Sequence, residues 1–220
     1  MKLQVVQIYL LTSALILLLS TNLHGQSVNS GLVGGINSAS VYGPNAKELD
    51  PHSINAFNAG LFIRLGVLDI FAVEPELLYT VKGYKVTYKS IATISMVPLP
   101  NFTVTGSISY LEIPVLLKLD IPSSSFGILR PIVFAGPAVA FSLSHKVNIL
   151  PAGWQGQLLD PNINSTDFGI IFGLGADIQL PITTITIDAR YDLGMKPLFP
   201  LETSRDIRNS VFTLEAGVTI

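Results

Sequence analysis

The sequence predicts an all-β fold: an eight-stranded antiparallel transmembrane β-barrel preceded by a cleaved signal peptide. Three observations predict it. Apolar residues alternate with polar or small ones, at a period of two, in run after run. The chain is strongly apolar, yet beyond Gln26 it has no stretch of 18 apolar residues that could cross a bilayer as a helix. The connections between runs alternate long and short, as in outer-membrane barrels.

The composition agrees. Of 220 residues, 49% are hydrophobic and 13% charged, with a mean hydropathy of +0.52. An ordinary soluble domain carries about 25% charged residues. Disorder requires the opposite balance, low hydrophobicity and high net charge. The length suits one barrel domain. Without cysteine the chain has no disulfide, no thiolate metal site and no lipid-anchored cysteine. The net charge of −2 gives no basic field for nucleic acid.

Residues 1–25 read as a signal peptide: Lys2, an apolar run from Ile8 to Leu19, a polar stretch, and Gly25 before the cut. The apolar run is shorter than the roughly 20 residues that span a bilayer. Residues 26–220 are then the outer-membrane β-barrel domain, exported to a bacterial outer membrane.

The first strand falls near Gly31 to Ser40 and has the weakest pattern. In the second, Phe57, Ala59, Leu61, Ile63, Leu65 and Val67 share a face. The third runs from Phe71 to Val81 across a tight turn at Leu68-Asp69. The fourth alternates from Leu111 to Leu119. The fifth lies between Arg130 and Ser144. The sixth carries Phe168, Ile170, Phe172 and Leu174 on one face. The seventh runs from Ile185 to Leu193 after a turn at Pro181–Thr184, and the eighth from Phe212 to Ile220. The long connections are Val41–Asn55, Thr87–Gly106, Val147–Thr166 and Met195–Arg208; Asp120–Leu129 is a shorter one. Pro75, Pro114 and Pro137 fall inside strands, where each removes a ladder hydrogen bond, so a bulge or a nearer strand end is expected at each.

Every charge within a strand falls on the face opposite the apolar one: Arg64, Glu74, Glu76, Lys82, Glu112, Lys118, Arg130, Asp177, Asp188, Arg190, Asp192 and Glu215. An eight-stranded barrel is about filled by its inward side chains. These charges are therefore expected to pair inside a closed lumen, because an unpaired buried charge costs several kcal/mol. Glu112 and Lys118 are about 20 Å apart along one strand and must each find partners elsewhere, with Arg130, Arg190, Glu74 and Asp188 available.

Other chemistry is sparse. His145 stands near Ser142 and Ser144, but strict alternation points it away from both, against a Ser-His hydrolase. Asp160 to Ser165 resembles the start of a calcium loop, yet Ser165 stands where glycine is required and Ile171 where the bidentate acid belongs. Gly173-Leu174-Gly175 lies in a strand pattern and is read as making room for large side chains opposite, not as a dinucleotide loop. No catalytic, cofactor or metal residues are assigned.

Several stretches together resemble the PorT-like outer-membrane β-barrel proteins of Bacteroidetes-type bacteria. They are Gly31-Leu32-Val33-Gly34-Gly35, Glu74-Pro75-Glu76-Leu77-Leu78-Tyr79, Tyr110-Leu111-Glu112-Ile113-Pro114 with Lys118, Arg130-Pro131 with Ala135-Gly136-Pro137, and Asp188-Ala189-Arg190-Tyr191. The resemblance covers about residues 30–220. It implies a barrel that tolerates these prolines and fixes no activity.

The expected role is that of a non-enzymatic membrane anchor, a monomeric barrel in outer-membrane lipid whose loops or periplasmic turns meet a periplasmic or cell-surface protein. The alternatives are a narrow transporter or channel and an outer-membrane lipid hydrolase.

Overall fold

The computed structural model describes residues 27–46, 50–88, 93–94, 97–98, 102–122, 127–150, 163–199 and 206–220. Its strands are β1 (Val28–Tyr42), β2 (Ile54–Leu68), β3 (Phe71–Tyr88), β4 (Thr93–Ile94), β5 (Val97–Pro98), β6 (Phe102–Asp120), β7 (Leu129–Leu150), β8 (Thr166–Gln179), β9 (Thr184–Gly194) and β10 (Arg208–Thr219). Eight of them close into a ring in the order β1-β10-β9-β8-β7-β6-β3-β2, each pair antiparallel. The two-residue strands β4 and β5 pair only with each other, within the long connection from β3 to β6. The signal-peptide segment and the first residues of the calcium-like loop lie outside the described residues.

Alternation places apolar side chains outside. Phe57, Leu61, Leu77, Leu117, Phe172 and Leu174 are all exposed on the outer wall. Charged and amide side chains are inside: Glu74, Lys82, Lys118 and Asn209 are at most 2% exposed. This inverts a soluble protein, and it holds only where hydrocarbon surrounds the wall.

The prolines behave differently from the sequence expectation. Neither Pro75, Pro114 nor Pro137 ends a strand or shifts the register. Pairing between β2 and β3 stops at Phe62↔Glu76 and resumes at Leu65↔Val73, beside Pro75. Between β3 and β6 it skips from Leu78↔Glu112 to Pro75↔Val115, beside Pro114, and between β6 and β7 from Pro114↔Ala138 to Leu117↔Ala135, beside Pro137. Each ladder omits two pairs and continues in the same register. A missing N–H removes one bond of the ladder, and the long paired stretches on either side hold the strands in place. The register does shift at Gly66/Leu68 and at Ser109/Tyr110, neither of them a proline.

Several strands outrun their expected length, and β3, expected to end at Val81, continues to Tyr88. β1 begins at Val28 and ends at Tyr42, β6 starts at Phe102, and β7 reaches Leu150. Segments expected as loop therefore pair: Thr105↔Lys85 and Thr105↔Asn148 join β3, β6 and β7 well past the apolar stretch. The sequence pattern missed them because their outward residues are Thr, Ser, Lys and Asn.

At the end bearing the long connections, an apolar cluster closes the ring. Val41, Ala46, Ile108, Tyr110, Ala140, Leu198 and Ile207 are buried together, with Tyr84, Ile163 and Phe199 against them. Backbone bonds tie the contributing loops: the Asn164 amide donates to the Leu198 carbonyl (2.9 Å) and the Leu198 amide to the Ile207 carbonyl (2.7 Å). The Asn45 side-chain oxygen accepts from the Asp206 amide (2.9 Å).

Candidate functional site: the charged lumen

Inward positions of β2, β3, β6, β8, β9 and β10 place their charges in stacked layers. In the lowest, Arg64 on β2 donates to Glu74 on neighbouring β3 (2.5 Å) and to Asp177 on β8, four strands round the ring and so across the full width. Thr186 also donates to Asp177 (2.6 Å). In the next layer, Lys118 on β6 meets Glu74 (2.8 Å) and Asp188 on β9 (3.3 Å). Arg190 on β9 reaches across to Glu76 on β3 (2.9 Å), to Asp188 (3.1 Å) and to Glu215 on β10. Asn58 on β2 donates to the same Glu215 (2.5 Å).

A neutral layer follows. Asn37 on β1 donates to Thr80 (3.0 Å) and accepts from Thr213 (3.0 Å). Above it, Lys82 on β3 is held between Glu112 on β6 (2.6 Å) and Asp192 on the opposite strand β9. Asn209 donates to Asp167 (2.7 Å) and reaches the Tyr110 hydroxyl (3.5 Å). The apolar cluster closes over this layer.

The remaining wall is apolar. Leu116, Phe134, Ala138 and Ile171 pack together inside β6, β7 and β8. The Phe134 ring faces Lys118 (5.1 Å) and Arg190 (5.4 Å), so it also offsets part of their charge. Among the described inward groups away from the short-turn rim, where Asp120 and Arg130 stand, eight carboxylates (Glu74, Glu76, Glu112, Asp167, Asp177, Asp188, Asp192 and Glu215) face four cations (Arg64, Lys82, Lys118 and Arg190). Neutral donors make up part of the difference: Asn58, Thr186 and Asn209 each serve a carboxylate.

Two sequence expectations need correction. Arg130 has the inward register, opposite Asp177, but it stands at the start of β7 on the open short-turn rim and is exposed. Alternation assigns a face and says nothing of depth. Glu112 finds its cation in Lys82, one of the inward charges expected to pair though not among the four groups named for it, and Lys118 takes Glu74 and Asp188 from those four. The sequence reading also passed over the neutral members Asn37, Asn58, Thr80 and Asn209. Their signal was available in their parity with the charges.

The reading of His145 changes as well. The register shift opposite Ser109/Tyr110 pairs Ser142 with Tyr110 and His145 with Ile108, so both take the inward register, and only Ser144 points away. Beside His145 is a cavity of about 20 Å³, lined by Tyr84, Ile108, Ile163, Leu198 and Phe199. That is room for a water molecule and none for an acyl chain. The space among Arg64, Lys118, Arg190 and Glu215 is about 10 Å³. Gly173 and Gly175 make room as expected: a Cβ on Gly173 would meet Phe134 at 2.6 Å, and one on Gly175 would meet Asp188 Oδ1 at 2.1 Å. Among the described residues no group of three or more His, Cys, Asp or Glu is placed to hold a metal ion.

Comparisons with known proteins agree with this architecture. The family described as outer membrane protein beta-barrel domain matches residues 24–200. Among solved structures, Neisserial surface protein A is similar at 14% identity and a TM-score of 0.51, over 90% of this chain and 99% of that one. The outer membrane protein OprG from Pseudomonas aeruginosa matches at 12% identity and a TM-score of 0.46, over 89% and 95%. Ail, the attachment invasion locus protein of Yersinia pestis, matches at 14% identity and a TM-score of 0.39, over 88% and 99%. No curated protein matches the sequence. The family match spans most of the chain: this protein belongs to the outer membrane protein beta-barrel domain family and is a bacterial outer-membrane β-barrel.

Proposed function

We propose that this outer-membrane barrel is a non-enzymatic anchor with a plugged, salt-bridged interior, which presents its long loops or short turns to a protein partner. One observation carries the reading: the lumen is crossed at several levels by paired charges and closed above by an apolar cluster. A conducting pore needs a continuous water path, and the described spaces within the charged layers, about 10 and 20 Å³, do not supply one. The larger space of about 470 Å³ is lined mainly by Leu32, Leu61, Ile63, Leu77 and Ile220, exposed on the outer wall.

Finer points belong to the same reading. Residues 1–25 act as a cleaved signal peptide, on the strength of the apolar run from Ile8 to Leu19 and the small Gly25. Within the family the chain groups with the PorT-like proteins, on the strength of Tyr110-Leu111-Glu112-Ile113-Pro114 with Lys118. The barrel acts as a monomer.

The test is conductance. The folded protein, reconstituted in planar bilayers in about 1 M salt, should show no discrete current steps, while an open barrel inserted under the same conditions does. Regular single-channel steps from the wild type would replace the anchor by a narrow pore.

A further inference from the structure

We propose that Asp167, Asp192 and Asn209 form a site for one calcium ion inside the upper lumen, over the paired glycines Gly169 and Gly194.

The three side chains come from the neighbouring strands β8, β9 and β10 and share the inward face. Gly169 pairs with Gly194, so two adjacent inward positions carry no side chain. Asn209 stands beside Gly194, where an added Cβ would meet the Asn209 Cβ at 3.2 Å. From there Asn209 Nδ2 reaches over to Asp167 Oδ2 on β8 (2.7 Å). Asp192 precedes Gly194 by two residues on β9, and its Oδ1 lies over Gly169, 2.8 Å from where a Cβ would be. Asp167 precedes Gly169 by two residues on the same face of β8. The glycine pair is thus a floor on which two carboxylates and one amide converge.

Two acceptors there have nothing to accept. Asp192 Oδ1 and Asn209 Oδ1 are buried, and neither has a hydrogen-bond partner among the described residues. Asp192 is 5% exposed and Asn209 0%. Lys82 takes the other oxygen of Asp192, and Asp167 takes the amide nitrogen of Asn209. An oxygen buried without a partner keeps its full desolvation penalty.

The charge points the same way. Glu112, Asp167 and Asp192 share this layer with one described cation, Lys82. Lys196 is turned instead to Thr166, on the outward register. A water molecule would satisfy the two oxygens and leave the excess negative charge in a layer shut off from solvent. A divalent cation answers both needs at once.

The donors select the ion. All are oxygens, which suit hard cations, with no sulfur or imidazole for zinc or copper. Magnesium demands a near-ideal octahedron and keeps its waters, whereas calcium accepts carboxylates and amide carbonyls in irregular shells. The donor set differs from the groups of three acids or histidines that the described residues lack: it has two carboxylates, and an amide oxygen and water complete it.

The lumen is closed by an apolar cluster above and by charged layers below, so the ion is loaded as the barrel folds. The experiment refolds the urea-unfolded protein into neutral detergent with terbium, a luminescent ion of calcium's size, and excites the tyrosines. The Tyr110 hydroxyl is 3.5 Å from Asn209 Nδ2, near enough to sensitise a bound ion. The wild type should give terbium emission that calcium suppresses at a concentration about tenfold or more below that needed of magnesium. Calcium should also raise the urea midpoint of the heat-modifiable band. Asp167→Asn/Asp192→Asn should keep the gel shift and lose both responses. Asn209→Leu keeps the two acids and should weaken the competition by calcium about tenfold. Asp120→Asn, at the short-turn rim, should behave as the wild type. A wild type without emission, whose midpoint ignores calcium, overturns the proposal with no variant needed. So does emission that survives the double asparagine change. A midpoint raised by acid alone and unmoved by calcium also overturns it, and gives the missing positive charge to protons.

Discussion

The two charge clusters of the lumen are built to different standards. In the lower one, Glu74 is met by both Arg64 and Lys118, and Asp188 by both Lys118 and Arg190. In the upper one, Lys82 alone bridges Glu112 and Asp192. Both are buried, and both hold strands together across the ring. They differ in redundancy. Removing Lys118 from the lower cluster leaves Glu74 with Arg64 and Asp188 with Arg190, whereas removing Lys82 leaves Glu112 and Asp192 with no described cation. A buried pair is weak evidence for net stability, but breaking one is strongly destabilising, because the survivor keeps its desolvation penalty.

The sharpest way to break the comparison is Lys82→Met. It should lower stability by about 3–5 kcal/mol or prevent folding, read as urea-induced loss of the heat-modifiable band in detergent. Lys82→Met/Glu112→Gln/Asp192→Asn should recover much of the loss, since the two acids that Lys82 bridged are then neutral and Asp167 keeps its Asn209 donor. If the single and triple variants are equally unstable, the cluster acts through packing and not through charge.

Lys118→Met is the matching change below. Glu74 keeps Arg64 and Asp188 keeps Arg190, so the expected cost is about 2 kcal/mol, the scale of a lost charge-assisted hydrogen bond. A loss as large as that of Lys82→Met would refute the difference in redundancy.

Gly175→Ala tests how tightly the lower cluster is packed. The added methyl would meet Asp188 Oδ1 at 2.1 Å and the Ile187 carbonyl at 2.5 Å, and a cost of about 1–2 kcal/mol is expected. On outward-facing Gly34 the nearest atom is 3.6 Å away, and alanine there should be close to neutral in the same assay.

Arg130→Gln should do least. Arg130 is exposed at the short-turn rim, and its loss should change stability by under about 0.5 kcal/mol. A large effect would mean that the rim belongs to the lower cluster.

Much of this was legible in the sequence, for a clear reason. A period of two needs only side-chain polarity and size, and these separate hydrocarbon from lumen along Phe168 to Ile178 at every position but the inward Ile171. Depth and partnership are not encoded that way. Parity puts Arg130 and Glu112 on the same side of the wall, but it does not show that one stands at the mouth and the other meets Lys82. That depends on strand order and stagger, which arise only on closure. The extension of β3, β6 and β7 was hidden because Thr103, Thr105 and Ser107 alternate with residues too weakly contrasted to read as a strand. The apolar cap was hidden because Ala46, Leu198 and Ile207 come from separate loops and share no period. The prolines misled because single-strand rules foresee a disrupted ladder, whereas long neighbours on both sides keep the register through a two-pair gap.

The ion pairs that cross the lumen also act as a gauge of circumference. Lys82–Asp192, Arg190–Glu76 and Arg64–Asp177 each join strands four places apart in a ring of eight, between residues 110 to 114 apart in the chain. Barrel diameter grows roughly in step with strand number. A ring of ten strands, or one that recruited a strand from a second copy, would draw all three pairs out of reach at once and leave their charges stranded in a dry interior. A flattened or partly closed sheet would do the same. The network therefore discriminates among assemblies that satisfy the same hydrophobic pattern, and it does so at the last moment of folding, when β1 and β10 meet and the opposing walls first come within bonding distance.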